Sequence, residues 1–413
     1  MEPQLAEVVA RAEALAADIT LEAVRRWKEA APGRKAVGYM PVYAPREVLH
    51  AAGVLPVAVM GGGDAVEIVR GDAYFQSYIC QIPRSTIELG LNGGLDALDG
   101  MIFPSTCDVI RNLSGMWQVL FPGRYVRYLD VPQNFGDSLG GAYFVADLRA
   151  LLRELCALSG REPDDAALWA SIELYDRNRA LMQELYALRA ATPWLVPTTE
   201  LYQVLRAGNA LPVEEHNALL ADYIAAARAS GRPVEDRARV ALTGCFCEQP
   251  PLGLLLTLER SGCYVVADDF CRGARFIEGP VAEGGHAGDP LEALARAFLR
   301  RGARCQSMYL DRGEKGAALL AEARAASAEG VIFASPSFCD PALLDQPMTL
   351  AHVAAAGLPT TSFKYAENTG QFQAIREQTG AFADSIKIWG EAEAAPDPAA
   401  PRRLPVLGGG RPS

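Results

Sequence analysis

Short apolar runs alternate with amphipathic helical stretches in two separate parts of the chain, and little else in the sequence limits the fold as strongly. An apolar run, a helix and a second apolar run are typical of parallel strands joined by crossover helices. The runs lie at 35–40, 55–60, 100–103 and 125–130 in the first part, and at 239–243, 264–267, 331–334 and 360–363 in the second. We therefore predict an α/β fold with two Rossmann- or flavodoxin-like parallel-sheet domains.

Between these parts, the chain carries apolar positions three and four apart, as in ADLRALLRELCALSG and LLADYIAAARASG. That spacing is typical of amphipathic helices. We predict four segments: an N-terminal helix with the first α/β domain over 1–143, a helical connector over 144–234, the second α/β domain over 235–390 and a tail over 391–413. The tail is rich in Pro, Ala and Gly, and we expect it to be disordered.

Charge and cysteine usage exclude several classes of protein. A net charge of −11 argues against nucleic acid as a partner, because that role leaves a basic surface. The nine cysteines are scattered over 413 residues, unlike the disulfide framework of a small secreted domain. The start, MEPQLAEVVARAEALAADI, lacks a basic n-region, and no run of about 18 apolar residues suggests a membrane span. We therefore expect a cytoplasmic protein with no membrane or nucleic-acid partner.

Nucleotide and imidazole chemistry find no support in the motifs. No glycine-rich phosphate loop ends in Lys-Ser or Lys-Thr, and the glycines at 61–63 lack the spacing of a dinucleotide fingerprint. The four histidines, at 50, 216, 286 and 352, have no metal-ligand spacing. His50 and His352 lie on predicted helices, where we expect structural or surface roles.

Three cysteines occupy more suggestive positions. Cys107 and Cys339 each follow an apolar run and precede a helical stretch, while Cys80 begins another helical stretch. Ligands of open α/β sheets bind beyond the carboxyl ends of strands, and a helix N-terminus stabilises a thiolate there. Three thiolates brought together suit a metal or an iron–sulfur cluster with one coordination position free; buried or reactive thiols are the alternative.

The other six cysteines give weaker signals. Three are expected to be packing residues in helices or strands, and three follow predicted strands, where near-site and structural roles are equally plausible. The first group is Cys156, Cys263 and Cys305, and the second is Cys245, Cys247 and Cys271.

The chain resembles the benzoyl-CoA reductase/2-hydroxyacyl-CoA dehydratase family from about residue 20 to 390. The resemblance rests on GYMPVYAPREVLHAAGVLPV, STCDVIRNL, IELYDRNRALMQELY, CEQPPLGLLLTLERSGCYVVADDF and FKYAENTGQFQAIREQTGAFADSIKIWG. STCD and FCDP mark the wider family, whereas YAENTGQFQ resembles its benzoyl-CoA reductase branch.

This resemblance implies an oxidoreductase subunit that holds one 4Fe–4S cluster through Cys80, Cys107 and Cys339. It implies a homologous B-type subunit as partner, and ATP-hydrolysing iron–sulfur subunits that deliver low-potential electrons from reduced ferredoxin. The implied reaction converts the acyl-CoA substrate, benzoyl-CoA, into a cyclic 1,5-diene thioester. ATP hydrolysis in a partner agrees with the missing phosphate loop.

Catalytic residues are less defined by the sequence. Glu367 and Asn368 follow the strand at 360–363, beside Lys364 and Tyr365, and Glu248 follows the strand at 239–243 with Gln249. These groups could donate a proton or orient the thioester, and a polar structural network is the alternative.

Charged neighbours of the three cysteines also have ordinary explanations. Asp108 and Asp340 follow proposed ligands and are expected to cap helices. Arg84 and Arg111 are candidates for CoA phosphate contacts, although such charges are usually solvated.

Two other functions remain open. A 2-hydroxyacyl-CoA dehydratase subunit would use the same fold and cluster but eliminate water. A double-cubane electron-transfer protein would hold about twice the iron, and the cysteines at 245, 247 and 271 keep this alternative open.

Overall fold

Two four-stranded parallel sheets organise the chain, which confirms the predicted fold class. The computed structural model describes residues 3–244, 250–269, 277–283, 285–302, 312–366 and 372–394. The first sheet contains β1 (Lys35–Tyr39), β2 (Val54–Ala58), β3 (Gly100–Pro104) and β4 (Tyr125–Leu129) in the order β2-β1-β3-β4. The second contains β5 (Ala238–Thr243), β6 (Cys263–Asp268), β7 (Gly330–Pro336) and β8 (Thr360–Tyr365) in the order β6-β5-β7-β8.

Both sheets therefore have the same strand order, with the second strand outside the first and the third beside it. This is a flavodoxin-like order, in which ligands bind where the chain reverses direction across the sheet, beside the carboxyl ends of the first and third strands. In the first sheet these ends are Tyr39 and Pro104, and in the second they are Thr243 and Pro336.

Helices surround each sheet. Those of the first half are α1 (Pro3–Ala16), α2 (Glu22–Glu29), α3 (Arg46–Ala51), α4 (Gln81–Leu91) and α5 (Asp108–Leu120). The middle of the chain forms α6 (Ala142–Ser159), α7 (Asp165–Ala191), α8 (Thr198–Ala207) and α9 (Val213–Ala229). The second half adds α10 (Leu252–Arg260), α11 (Pro290–Arg301), α12 (Arg312–Ala325), α13 (Asp340–Ala355) and α14 (Phe372–Ala394).

Capping carboxylates start two of the helices, α7 and α11. Asp164 accepts a hydrogen bond from the Ala166 amide at 2.9 Å before α7. Asp289 accepts one from the Leu291 amide at 2.8 Å before α11, where Pro290 occupies the first helical position. These caps satisfy amides that have no partner inside the helix.

Two helices pack against the half of the chain that is more distant in sequence. Leu5 and Ala12 of α1 belong to the buried cluster that includes β5 and β7. Phe298 of α11 packs in the cluster of the first sheet, with its ring 5.6 Å from that of Tyr43 and 5.2 Å from that of Phe144. The segment limits predicted from the sequence remain a prediction, and the tail after residue 394 lies outside the described residues.

Helix α7 joins the halves through two buried arginines. Arg179 forms ion pairs with Glu47 of α3 and with Asp176 on its own helix. Arg189 pairs with Asp268 at the end of β6 at 2.5 Å, and both side chains are fully buried. Tyr186 also donates to Asp268 at 3.0 Å. A buried ion pair holds its elements in one arrangement, because separating it leaves an uncompensated charge.

A neutral histidine links the connector helices. The His216 Nε2–H donates to the Val204 carbonyl at 3.1 Å, and Nδ1 accepts from the Asn178 amide at 3.0 Å. Burial lowers the pKa of His216 to about 4, because water cannot solvate the charged ring there. His216 is therefore a structural residue, a role predicted from the sequence only for His50 and His352.

Candidate functional site

Each of the three cysteines stands immediately before the first residue of a helix. Cys80 precedes α4, Cys107 precedes α5 and Cys339 precedes α13. The first amides of a helix have no partner within the helix and carry partial positive charge, so this position favours anionic ligands such as thiolates. The local placement predicted for Cys107 and Cys339 is confirmed.

Cys107 and Cys339 also occupy equivalent positions in the two sheets. The third strand of the first sheet ends at Pro104 and continues as Pro-Ser-Thr-Cys-Asp, while that of the second ends at Pro336 and continues as Pro-Ser-Phe-Cys-Asp. Sequence reasoning overlooked this internal repeat, although the letters are visible in the sequence. Combined with the shared strand order, it identifies the two thiols as structural counterparts.

Hydroxyl groups fix the loop that carries Cys107. Ser105 accepts a hydrogen bond from the Val131 amide at 2.8 Å. The buried Thr106 hydroxyl donates to the Pro41 carbonyl at 2.9 Å and accepts from the Val42 amide at 3.3 Å. The loop after β3 is thereby tied to the loops after β4 and β1, which explains why Ser and Thr precede this cysteine.

The loop that carries Cys339 is held differently. The Ser337 amide donates to the Tyr365 carbonyl at 2.7 Å. Phe338 has a left-handed backbone with φ 65°, although its side chain is 51% exposed. Cys339 is 5% exposed and packs in the buried cluster of the first half. An aromatic residue in this conformation stores strain, a feature that often accompanies functional sites.

A cavity of about 370 Å³ joins Cys80 to the loop after β7. Residues of both halves line it: Val66, Glu67, Ile68, Asp72, Ile79, Cys80, Gln81, Arg84, Pro336, Ser337, Phe338, Tyr365 and Ala366. Cys80 therefore lies beside the residues that precede Cys339 in the chain.

Cys107 is electrostatically linked to the same region. Burial raises the pKa of the Cys107 thiol, while the amides of Ile110 and Val109 act in the opposite direction. The carboxylates of Asp108 and Asp340 raise the pKa further, so the negative charge at the start of α13 acts on the Cys107 thiol. The raised pKa favours the protonated thiol. Binding to a metal centre would instead favour the thiolate, because coordination deprotonates a thiol.

Thiols are the donors that these three helix starts would offer to a metal centre. Within the described residues, no group of three or more His, Cys, Asp or Glu side chains is arranged to hold one metal ion. A four-iron cluster makes a different demand, since each cysteine binds its own iron and the sulfur atoms stand apart. Each of the three cysteines stands at a helix start, and a thiol is the ligand type that such a cluster takes.

The remaining candidates fall into three groups. Glu248, Gln249, Glu367 and Asn368 lie outside the described residues, as do Cys245, Cys247, Cys271 and Cys305. Lys364 is exposed, whereas Tyr365 is buried and lines the cavity. Cys156 and Cys263 are buried in a helix and a strand, as expected of packing residues.

The predicted capping role of Asp108 and Asp340 needs correction, whereas the phosphate contacts predicted for Arg84 and Arg111 remain a prediction. Asp108 and Asp340 are the first helical residues, one position after the cap, so they act on the helix dipole. Arg84 lines the cavity but pairs with Asp72 at 2.6 Å. Arg111 lies over the Tyr128 ring at 5.8 Å.

No helix in the described ranges combines the length and apolar character that crossing a membrane requires.

A family model described as "2-hydroxyglutaryl-CoA dehydratase, D-component" matches residues 41–386. The chain belongs to this family. It is also 55% identical over 385 residues to the C-type subunit of the benzoyl-CoA reductase of Thauera aromatica, covering 93% of this chain and 99% of that one. This match confirms the resemblance seen in the sequence.

Two dehydratase subunits are more distant relatives of this chain. The (R)-2-hydroxyglutaryl-CoA dehydratase subunit beta of Acidaminococcus fermentans is 28% identical, covering 87% of this chain and 94% of that one. The (R)-phenyllactyl-CoA dehydratase beta subunit of Clostridium sporogenes is 27% identical, covering 86% of this chain and 92% of that one.

Proposed function

We propose that this chain is a subunit of a benzoyl-CoA reductase. The observation that carries the proposal is the 55% identity to such a subunit over 93% of this chain and 99% of the relative. The complex would dearomatise benzoyl-CoA to the cyclic 1,5-diene thioester with electrons of low potential. The chain would act only together with partner subunits.

The chain would hold one 4Fe–4S cluster through Cys80, Cys107 and Cys339. Support comes from the three helix starts, the repeated Pro-Ser-x-Cys-Asp segments and the cavity between Cys80 and Phe338. When bound, the cluster would supply single electrons of low potential. The helix N-termini would stabilise the three thiolates, and the apolar side chains of Ile68, Ile79 and Phe338 would keep water from them.

The proton donors would come from the residues that follow β8. Ala366 lines the cavity, so Glu367 and Asn368, which follow it in the chain, remain the first candidates for proton donation or for orienting the thioester. Glu248 is a candidate from the loop after β5, the strand beside β7 in the second sheet.

The partners would be a homologous B-type subunit and ATP-hydrolysing iron–sulfur subunits supplied by reduced ferredoxin. The sequence supports this division of labour because it contains no phosphate loop of its own. Electron activation would then depend on ATP hydrolysis outside this chain.

Iron analysis after anaerobic purification tests the cluster. We expect about four irons per chain, with acid-labile sulfide, and loss of most of the iron when Cys80, Cys107 or Cys339 is replaced by Ala. Cys156→Ala is the matched control, since this buried thiol lies on α6 and should leave the iron content unchanged. Full iron in all three ligand variants would show that other thiols bind the metal.

A dehydratase subunit is the second candidate function, because the family model and two of the relatives are dehydratase components. Anaerobic assay of the complex with its partner subunits separates the two. ATP consumption in every turnover with benzoyl-CoA supports the reductase. Dehydration of a 2-hydroxyacyl-CoA after a single activation would instead support the dehydratase.

A further inference from the structure

One buried carboxylate holds three consecutive backbone amides. Oε2 of Glu88 accepts hydrogen bonds from the amides of Val69, Arg70 and Gly71 at 3.0, 2.6 and 2.8 Å, and Glu88 is 6% exposed. Burial alone would raise the pKa of Glu88, but these amides and the Arg70 side chain hold it below its ordinary value. The carboxylate therefore remains charged at neutral pH and binds the loop as an internal anion.

The loop held by Glu88 is a wall of the cavity that contains Cys80. Val66, Glu67 and Ile68 precede the three amides and line that cavity, and Asp72 follows them and lines it too. Glu88 lies on α4, the helix that begins directly after Cys80. The Glu88 side chain thus connects α4, the helix that follows Cys80, to the loop that lines the cavity beside Cys80.

Further contacts hold this loop against other residues of α4. A Cβ atom on Gly71 would stand 2.3 Å from the Arg84 carbonyl oxygen, so the loop lies directly against the helix backbone. The Ser85 hydroxyl accepts the Gly62 amide at 3.0 Å, nearer the start of the loop. Asp72 pairs with Arg84 at 2.6 Å at its far end.

We infer that Glu88 is a positioning residue of the candidate site, whose charge fixes the loop at 66–72 and limits solvent access to the Cys80 thiol. The relevance of Glu88 to electron transfer rests on the proposed function. The effect of Glu88 on the accessibility of Cys80 is independent of that function, since the contacts exist in the protein without any cofactor.

Alkylation of individual cysteines measures this effect in the full-length, metal-free, reduced protein. Iodoacetamide labelling followed by peptide mass spectrometry gives a rate for Cys80 separately from the other thiols. Glu88→Gln keeps the shape but removes the charge. We expect the Cys80 rate to rise about fivefold, because a charged hydrogen-bond acceptor contributes about 1 kcal/mol more than a neutral one.

A matched control separates positioning from a general loss of stability. Glu259 of α10 is a half-buried carboxylate that likewise accepts backbone amides, from Thr198 at 2.5 Å and Thr199 at 3.3 Å, in the first turn of α8. Glu259→Gln should lower the melting temperature without changing the Cys80 rate. An equal rise in both variants, or none in Glu88→Gln, would overturn the inference.

A milder variant covers the case in which Glu88→Gln does not fold. Glu88→Asp keeps the charge but withdraws the carboxylate by one methylene, and a rise of about twofold or more in the Cys80 rate is expected. An unchanged rate in this variant contradicts the inference. Absence of iron from the wild-type protein would refute the proposed function alone, because the labelling result stands independently of it.

Discussion

The first and second halves end their third strands in the same Pro-Ser-x-Cys-Asp pattern, but they secure the cysteine by different means. In the first half, Thr106 is buried and joins the loop to its neighbour through two hydrogen bonds. In the second half, Phe338 takes the same place with an exposed ring and a left-handed backbone. Cys107 is half-buried within its own half, whereas Cys339 is buried against the core of the other.

Cys107 is therefore held within one half of the chain, whereas Cys339 is held by contact between the two halves. The position of Cys107 depends on loops of a single sheet, so changes inside the first half should disturb it. The position of Cys339 depends on contact between the halves. The attachment of each half to α7 should therefore influence the site as much as the loop residues themselves.

The largest expected effect concerns the attachment of the second half. Asp268→Asn removes the carboxylate that pairs with the buried Arg189, and we expect the free energy of unfolding to fall by about 3–5 kcal/mol in urea titrations. Glu47→Gln should cost less, since Arg179 keeps Asp176. Glu184→Gln, which breaks an exposed pair with Arg228, should stay within about 1 kcal/mol of wild type. Equal losses of unfolding free energy in the three variants would show that the buried ion pairs of α7 contribute no more than the exposed pair.

Acid should weaken the packing of the connector helices that the two halves share. The folded-state pKa of His216 is about 4, below the ordinary 6.5, so the unfolded chain binds more protons between these values. The contribution of His216 is complete above pH 6.5 and decreases by about 3 kcal/mol as pH falls to 4. His216→Gln should lose this part of the pH dependence.

Urea titrations of both proteins at pH 7 and 4.5 measure the difference. Parallel pH profiles for wild type and His216→Gln would contradict the assignment of this histidine as neutral and structural.

The contacts of Glu88 should respond to acid differently. The lowered pKa of Glu88 preserves its hydrogen bonds to the loop as the pH falls through the ordinary range of a carboxylate, and they are lost only as the pH passes the lowered value.

Thr106→Val should destabilise the first half by about 1–3 kcal/mol. The substitution leaves the Pro41 carbonyl and the Val42 amide buried without their partner. Thr106→Ser keeps the hydroxyl and should retain most of the stability. Thermal unfolding of the two variants provides the measurement, and identical melting temperatures would mean that the hydroxyl does not support the loop.

The smallest effect is expected at the counterpart position. Phe338→Gly removes a half-exposed ring but also removes backbone strain, because glycine adopts a left-handed φ without steric cost. We expect the stability to remain within about 1 kcal/mol of wild type, as measured by thermal unfolding. A loss as large as that of Thr106→Val would show that the two loops are held alike.

The strand pattern could be predicted because it depends on local sequence. All eight predicted runs correspond to β1–β8 within a few residues, since short apolar segments between helices have few alternatives. The helix starts behind Cys107 and Cys339 followed from the same pattern. The family resemblance, rather than spacing, supplied the identity of the ligand set.

Contacts between distant residues could not be obtained in this way. The apolar face of α11 indicates burial, but nothing local shows that Phe298 contacts Tyr43 and Phe144. Glu88 stands in TIELGL, where a glutamate on a helix is ordinarily solvated. The left-handed backbone of Phe338 is equally invisible, because only the surrounding fold makes an aromatic residue accept it.

The exchange of α1 and α11 between the two cores has a consequence for how the protein is made. On the ribosome, the first core lacks the side chains of α11 until Pro290–Arg301 has been synthesised, long after the strands of the first sheet. Helix α1 is synthesised before α8 and α9, the connector helices against which it packs. Neither half can therefore complete its folding alone during translation, and fragments divided at the connector should expose apolar surface and associate with one another.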